Sequence, residues 1–244
     1  MTRRISGRGA LLAVLAIVLG TSVALFAGGT DTARPPARSE NARPPLTLLT
    51  SLPLVFAERM TLQAGGSKLL EALEQRYTVI PVATADRQNL RQAHILFMAH
   101  ALAQPAETLV ALDRWVRAGG KLLLLADPAL ERESSRPLGD PLRPSPMFPD
   151  TGLLAHWGLR LDTPEERGPA ERKIAGRSVL TVSPGTLHGG CAISRDRLVA
   201  DCRIGKGRAI VIADADFLDV DAAGGSTDAN HDALLLMLAA LEQK

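Results

Sequence analysis

The chain has 244 residues, of which 46% are hydrophobic, 22% charged and 3% aromatic. This length can bury the core of one large domain or two small ones, and the apolar fraction excludes general disorder. A balance of 28 basic and 26 acidic residues gives a net charge of +2, too weak for a nucleic-acid-binding surface. Two cysteines exclude a disulfide-rich scaffold and a four-cysteine zinc site.

The amino-terminal segment, residues 1–30, has the pattern of a membrane-directed sequence. Arg3, Arg4 and Arg8 precede an apolar run over residues 10–28, which is just long enough to cross a bilayer as a helix. Because positive charges stay on the cytoplasmic side, we expect one uncleaved transmembrane helix in the inner (cytoplasmic) membrane and a periplasmic remainder. A cleaved signal peptide, whose best cleavage site fits poorly, and a twin-arginine export signal are the alternatives.

Residues 31–45 read DTARPPARSENARPP. Proline, arginine and small polar residues without apolar periodicity predict a semi-extended linker rather than a folded element. This linker would hold the following domain, residues 46–244, a short distance from the membrane.

Strands and helices alternate from Leu46 onward. The pattern predicts a doubly wound α/β domain with a mostly parallel sheet, and the continuous apolar run 121–126 is typical of a strand buried on both faces. Segment 127–177 is rich in proline and charge, which indicates a functional loop or a partner surface. The predicted strands are 46–50, 77–82, 94–98, 121–126, 177–182, 191–194, 198–203 and 209–213. The predicted helices are 68–76, one from 105 to a double glycine at 119–120, a short one within 152–161 that ends in a turn at Gly158, and one over roughly 231–242.

Four motifs occur in order along this domain: ALDRWVRAGGKLLLLADP, GLLAHWGLRL, IGKGRAIVIADADFLD and NHDALLLMLAALEQ. The ordered set resembles the GldG-like family, the "ABC-type uncharacterized transport system" domain, over roughly residues 46–242. The resemblance implies a class I glutamine amidotransferase-like fold and a membrane-tethered, extracytoplasmic accessory of an ABC-type export or gliding system. Members commonly lack known catalysis. The expected partners are therefore subunits of an ABC-type transporter or another membrane complex, with no cofactor.

Enzymes of that fold place a cysteine nucleophile on a tight turn after a strand. The corresponding strand ends here carry His100 and Asp127, so we expect no catalytic residue. An exported amidotransferase-like hydrolase remains the alternative, with Cys191 activated by His188. Cys191 and Cys202, however, flank a predicted turn between two short strands, and an oxidising compartment would join them in a disulfide. The sequence therefore predicts a Cys191–Cys202 disulfide.

An acidic cluster, Asp214, Asp216, Asp219 and Asp221, follows a predicted parallel strand, and Asp127 also follows one. Ligands bind at the carboxyl ends of strands in open α/β sheets, so Asp127, Asp214 and Asp216 are the candidate ligand-binding residues. Carboxylates can hold calcium or magnesium, but the spacing lacks the glycine and distal glutamate of a calcium loop, and no metal site is expected. The alternatives are solvated carboxylates in a capped loop, a metal-assisted hydrolase, or a glycan-binding module, which the low aromatic content disfavours.

Overall fold

The computed structural model describes residues 33–56 and 66–243. The predicted membrane segment over residues 10–28 lies outside these ranges, as do the first residues of the predicted linker. Every helix within the described ranges is too short or too polar to cross a bilayer.

The centre of the domain is a seven-stranded sheet. Its strands are β1 (Pro45–Thr50), β2 (Thr78–Val82), β3 (Ile95–Ala99), β4 (Lys121–Leu125), β9 (Ala192–Ile193), β10 (Val199–Ile204) and β11 (Gly207–Ile212). They lie in the order β2-β1-β3-β4-β11-β10-β9. The first five of these are parallel, whereas β10 runs antiparallel to β11 and to β9. The fold is therefore mixed α/β with a mostly parallel central sheet.

Helices cover both faces of this sheet. They are α1 (Lys68–Glu74), α2 (Arg87–Gln92), α3 (Ala106–Arg117), α4 (Leu153–His156) and α5 (Thr227–Glu242). The chain moves in one direction from β1 to β2 and in the other from β2 through β3 to β4, so right-handed crossovers place α1 opposite α2 and α3. Helix α5 packs with α1, and α2 packs with α3.

The central strands are apolar throughout because helices cover them on both sides. All five residues of β3 are buried, as are 122–125 in β4. The edge strand β2 is largely exposed and contains Pro81, which an edge tolerates because proline has no N–H to donate and the outer side of an edge strand needs no donor. At the start of β11, a Cβ on Gly207 would lie 2.0 Å from the carbonyl oxygen of Val116, so the close approach of α3 requires glycine there.

Two antiparallel strand pairs stand outside the central sheet. Strand β5 (Leu159–Asp162) pairs with β8 (Thr186–Gly189), and β6 (Pro169–Ile174) pairs with β7 (Arg177–Val182). Strand β7 packs on α5, where the buried side chain of Asn230 binds the backbone of β7. Its side-chain oxygen accepts from Leu180 N at 3.1 Å, and its NH₂ group donates to the carbonyl oxygens of Leu180 at 2.7 Å and Phe217 at 2.8 Å.

The sequence predicted most of these elements but not α2, β5, β6 and β8. Strand β6 is polar and mostly exposed, and it exists because it pairs with β7. The prediction also began the last helix at His231, whereas α5 begins at Thr227 because the Ser226 hydroxyl accepts a hydrogen bond from Ala229 N.

The predicted linker is packed against the domain over the residues the structure describes. The Arg38 guanidinium donates to both carboxylate oxygens of Glu242, at 3.1 and 2.5 Å, and Arg38 N donates to the carbonyl of Gln75 at 2.8 Å. The Arg76 guanidinium donates to the carbonyl of Pro36. Residues 34–44, called the docked segment below, are therefore part of the folded domain, which corrects the expectation of a free tether.

Candidate functional site at the carboxyl edge of the sheet

The crevice where an open α/β sheet would bind a ligand lies between the carboxyl ends of β1 and β3, because the connections after these strands lead to opposite faces. His100 directly follows β3 and adopts a left-handed backbone conformation with φ of 46°. Its N–H donates to the carbonyl of Leu125 at 3.1 Å, and the Ser51 hydroxyl donates to its carbonyl at 2.5 Å. His100 thus links the ends of three neighbouring strands.

Residues 127–150, called the cap segment below, fold back over this edge. Phe148 N donates to the carbonyl of Asp127 at 2.6 Å, and Leu130 N donates to that of Pro146 at 3.0 Å. The His100 imidazole binds the cap through Nε2, which is 2.8 Å from the carbonyl oxygen of Ser145. The Phe148 ring stands edge-on to the imidazole with centroids 6.4 Å apart. The cap segment therefore closes the crevice, and His100 is fully buried beneath it.

Burial of His100 favours the neutral form of its imidazole. Burial lowers the pKa of its imidazole, against smaller opposing effects from the Ser145 carbonyl and the Asp127 charge. Because Nε2 donates to the Ser145 carbonyl, Nδ1 carries a lone pair, and Nδ1 has no hydrogen-bond partner among the described residues. The His100 imidazole donates its N–H to the Ser145 carbonyl of the cap segment and so holds that segment in place.

Asp127 ties the end of β4 to the end of β11. One carboxylate oxygen accepts from Ala129 N at 2.8 Å. The other accepts from Ala215 N at 2.8 Å and Asp216 N at 3.3 Å. The side chain is fully buried, so it faces backbone amides of its own chain and not solvent.

Asp214 and Asp216, like Asp127, accept hydrogen bonds from backbone amides of distant segments. The buried carboxylate of Asp214 accepts from Val182 N at 2.8 Å and from Phe217 N at 2.7 Å, joining β7 to the loop after β11.

Asp216 in turn holds the cap segment. Its two carboxylate oxygens accept from Glu131 N at 2.6 Å and Arg132 N at 2.9 Å. The cap is therefore fixed at both ends, by Asp216 near its start and by His100 near its finish.

These contacts revise the expected role of Asp127, Asp214 and Asp216. The structure does bring the three together at one edge, but each carboxylate oxygen accepts at least one backbone N–H within the protein. Across the described ranges, no three histidine, cysteine or acidic side chains are placed to hold a metal. The geometry therefore favours a structural role for these aspartates over ligand binding.

Burial raises the pKa of all three carboxyl groups. For Asp214 the charge of Asp127 adds to this effect, whereas for Asp127 the backbone amides and His100 oppose it. For Asp216 burial outweighs the two N–H donors, and its pKa lies at about 6. Because the folded-state pKa of Asp216 lies above the unfolded value of 3.8, the contribution of its carboxyl group to the unfolding free energy is fully present below about pH 4. This contribution is lost as the pH rises through 6.

The variant Asp216→Asn tests this dependence. Between pH 4 and pH 7, we expect the wild-type protein to lose about 2 kcal/mol of unfolding free energy relative to the variant, which has no carboxyl group to ionise there. Urea unfolding at several pH values measures both proteins. Parallel stability profiles would contradict the raised pKa of Asp216. The comparison cancels the opposite contributions of His100 and His231, whose pKa values burial lowers in both proteins.

Cys191 and Cys202 are joined by a disulfide, with their Cα atoms 4.8 Å apart. The pairing of β9 with β10 explains it: Ala192 lies opposite Asp201, which places the two cysteines at the next position of the ladder. His188 is paired with the carboxylate of Asp162 at 3.2 Å. A disulfide sulfur is not a thiolate, so this arrangement offers no nucleophile to the hydrolase alternative.

The arginines of the cap segment are bound within the protein. Arg132 forms an ion pair with Asp219 at 2.6 Å, and Arg136 pairs with Asp140 at 3.4 Å. The Arg143 guanidinium donates to the carbonyl of Arg136. These contacts stabilise the cap segment and leave its charged groups less available to a partner than the sequence suggested.

Apolar side chains are instead exposed on the cap segment. The exposed fractions are 89% for Leu138, 60% for Leu142 and 56% for Met147. An irregular segment held by buried hydrogen bonds thus presents three large hydrophobic side chains to solvent.

The residues that sequence reasoning missed are those of the cap that contact the sheet, chiefly Ser145 and Phe148. Their partner His100 had a sequence signal, since it follows a strand. Nothing local, however, marks a serine carbonyl 45 positions away as the partner of that imidazole.

No family model matches the chain, and no curated protein matches it. Among solved structures, an exo-beta-1,4-mannosidase from Opitutaceae bacterium strain TAV5 has 14% identity and a TM-score of 0.48 over 82% of this chain and 36% of that one. A cytoplasmic protein from Salmonella typhimurium has 9% identity and a TM-score of 0.46, covering 79% of this chain and 98% of that one.

A putative ThuA-like protein from Bacteroides uniformis has 10% identity and a TM-score of 0.41, covering 83% of this chain and 93% of that one. The chain spans about a third of the length of the mannosidase. At these identities and TM-scores, none of the three assigns a family or an activity to the chain.

Proposed function

We propose that this chain is a non-catalytic accessory subunit of an ABC-type transport system, anchored in the inner membrane by residues 10–28, with its domain in the periplasm. In this proposal the domain has a class I glutamine amidotransferase-like fold, as the ordered GldG-like motifs imply. The subunit serves in binding or assembly, and its partner is a protein of the membrane complex.

The observation that carries the proposal is the cap segment. It closes the crevice at which this type of sheet would bind a small molecule, because the Ser145 carbonyl and the Phe148 ring cover His100. The same segment exposes Leu138, Leu142 and Met147. Exposed apolar side chains gathered on one ordered segment are typical of protein–protein contact surfaces.

The chemistry of the edge supports a role without catalysis. A nucleophile must be within reach of a substrate, and the groups gathered here are buried: the carboxyl groups of Asp127 and Asp214 are bound to backbone amides, and the His100 imidazole lies beneath the cap segment. Cys191, the nucleophile of the enzyme alternative, lies in a disulfide.

Site-specific photocross-linking in intact membranes tests the proposal. A photoreactive residue in place of Leu142 should form an adduct with a subunit of an ABC-type transporter encoded nearby. The variant Leu138→Ser/Met147→Ser should reduce that adduct at least fivefold, because it removes apolar contact area. Val110, which is 48% exposed on α3, supplies the matched controls: a probe at this position and the variant Val110→Ser.

Two results would contradict the proposal. Equal adducts from positions 142 and 110 would show that the cap segment is not the contact surface. Hydrolysis of amide or ester substrates by the purified protein, if lost in Cys191→Ser, would instead support the enzyme alternative.

A further inference from the structure

Arg34, the first residue of the docked segment, contacts two helices on the same face of the sheet. Arg34 donates to the side-chain oxygen of Gln75, which follows α1, at 3.2 Å. It also forms an ion pair with Asp232 of α5 at 3.4 Å. The chain therefore enters the described domain on the face formed by α1 and α5, called the α1–α5 face below.

A second, more buried contact holds the middle of the docked segment. Arg38 reaches Glu242 at the end of α5, and the hydroxyl of the buried Tyr77 donates to the same carboxylate at 2.5 Å. The Arg38 guanidinium also lies 5.6 Å from the centre of the Tyr77 ring. Although burial by itself would raise the pKa of Glu242, the hydrogen bonds from Arg38 and Tyr77 lower it. Charge-assisted, two-pronged contacts of this kind are stronger than exposed ion pairs.

Little chain separates this face from the proposed membrane helix. The apolar run ends at Gly28, and Arg34 is already bound to the domain. The six steps from residue 28 to residue 34 span at most about 22 Å when fully extended. A domain tethered so closely has little freedom to turn away from the bilayer.

We propose that the docked segment is a strap that holds the domain in one orientation, with the α1–α5 face toward the membrane surface. The inference rests on the membrane anchor of the proposed function. Because crossover helices run antiparallel to the strands that they connect, helices and strands share one axis direction. With the α1–α5 face on the membrane, this axis lies along the bilayer, and the carboxyl edge with its cap segment points sideways along the membrane. The partner that the cap meets is then the extracytoplasmic part of a neighbouring membrane protein, close to the bilayer.

Energy transfer to the bilayer tests the orientation. The full chain is reconstituted in phosphatidylcholine vesicles that contain an acceptor-labelled lipid, and a donor dye is attached without reductant to Glu74→Cys on α1 or to Val110→Cys on α3. Both positions are exposed and lie on opposite faces of the sheet. We expect transfer from position 74 to exceed transfer from position 110 at least twofold.

Releasing the strap should remove this difference. In Arg34→Ala/Arg38→Ala the two transfer efficiencies should become equal, whereas the control Arg91→Ala, on α2, should keep the contrast. Because the double variant also loses contacts of the fold, a second variant inserts 15 glycine and serine residues between positions 32 and 33. That insertion leaves the docked contacts intact, adds a flexible stretch whose own average end-to-end distance is about 20 Å, and should also weaken the contrast.

Equal energy transfer from the two positions in the unaltered chain would contradict the proposal that the strap fixes the orientation of the domain. Recovery of the domain free in solution would contradict both the membrane anchor and the strap. Loss of the cross-link at Leu142 with the contrast retained would count against the partner of the proposed function alone, and the strap would stand.

Discussion

Replacement of Asp127 by alanine should destabilise the domain by about 3 kcal/mol. The substitution leaves the amides of Ala129, Ala215 and Asp216 without their acceptor. Each unsatisfied buried amide costs about 1–3 kcal/mol, and the removal of a buried charge offsets part of the sum. Urea unfolding near pH 7 measures the loss.

Asp219→Ala is the matched control, because Asp219 belongs to the same acidic cluster but is exposed and forms a surface ion pair with Arg132. Its loss should cost less than about 1 kcal/mol. If both variants unfolded alike, the carboxylate of Asp127 would not be a structural tie, and the ligand-binding interpretation would regain support.

Removal of the disulfide by Cys191→Ala/Cys202→Ala should lower the unfolding free energy by about 2–3 kcal/mol. The bridge joins positions 11 residues apart and restricts the unfolded chain accordingly. The wild-type protein, isolated and analysed without reduction, should show a mass lower by two hydrogens and no titratable thiol.

Reduced wild-type protein provides the control for side-chain packing, since Cys202 is buried and alanine leaves a smaller side chain there. It should be destabilised by a similar amount. Two free thiols in the protein isolated without reduction would contradict the bridge and would return Cys191, with His188, to consideration as a nucleophile.

The central strands could be predicted because their signal is local. An apolar run such as 121–126 is buried on both faces in any parallel sheet, and the structure places β4 at Lys121–Leu125. The double glycine after α3 and the turn before β11 marked element ends in the same way. The polar strand β6 carried no such signal, since pairing with β7 is what makes it a strand.

The candidate site was predicted in its position but not in its role. Three aspartates at strand ends do meet at one edge, since carboxyl ends of parallel strands lie together. Whether such a carboxylate faces solvent or a backbone amide depends on distant segments. Asp216, for example, accepts hydrogen bonds from the backbone N–H groups of Glu131 and Arg132, which lie 85 and 84 positions earlier in the chain.

Residue type and short spacing were enough to predict most of the strands and helices in their order, the class of the domain and the two cysteines that could meet across a turn. Each of these depends on residue type and short spacing, which act before the chain is compact. The tertiary structure decided the closed crevice and the docked segment. Both depend on contacts that exist after folding, such as that of Arg38 with Glu242, 204 positions away. A proline- and arginine-rich stretch has the same composition whether it is free or bound, and the surface that binds it is made by the rest of the fold.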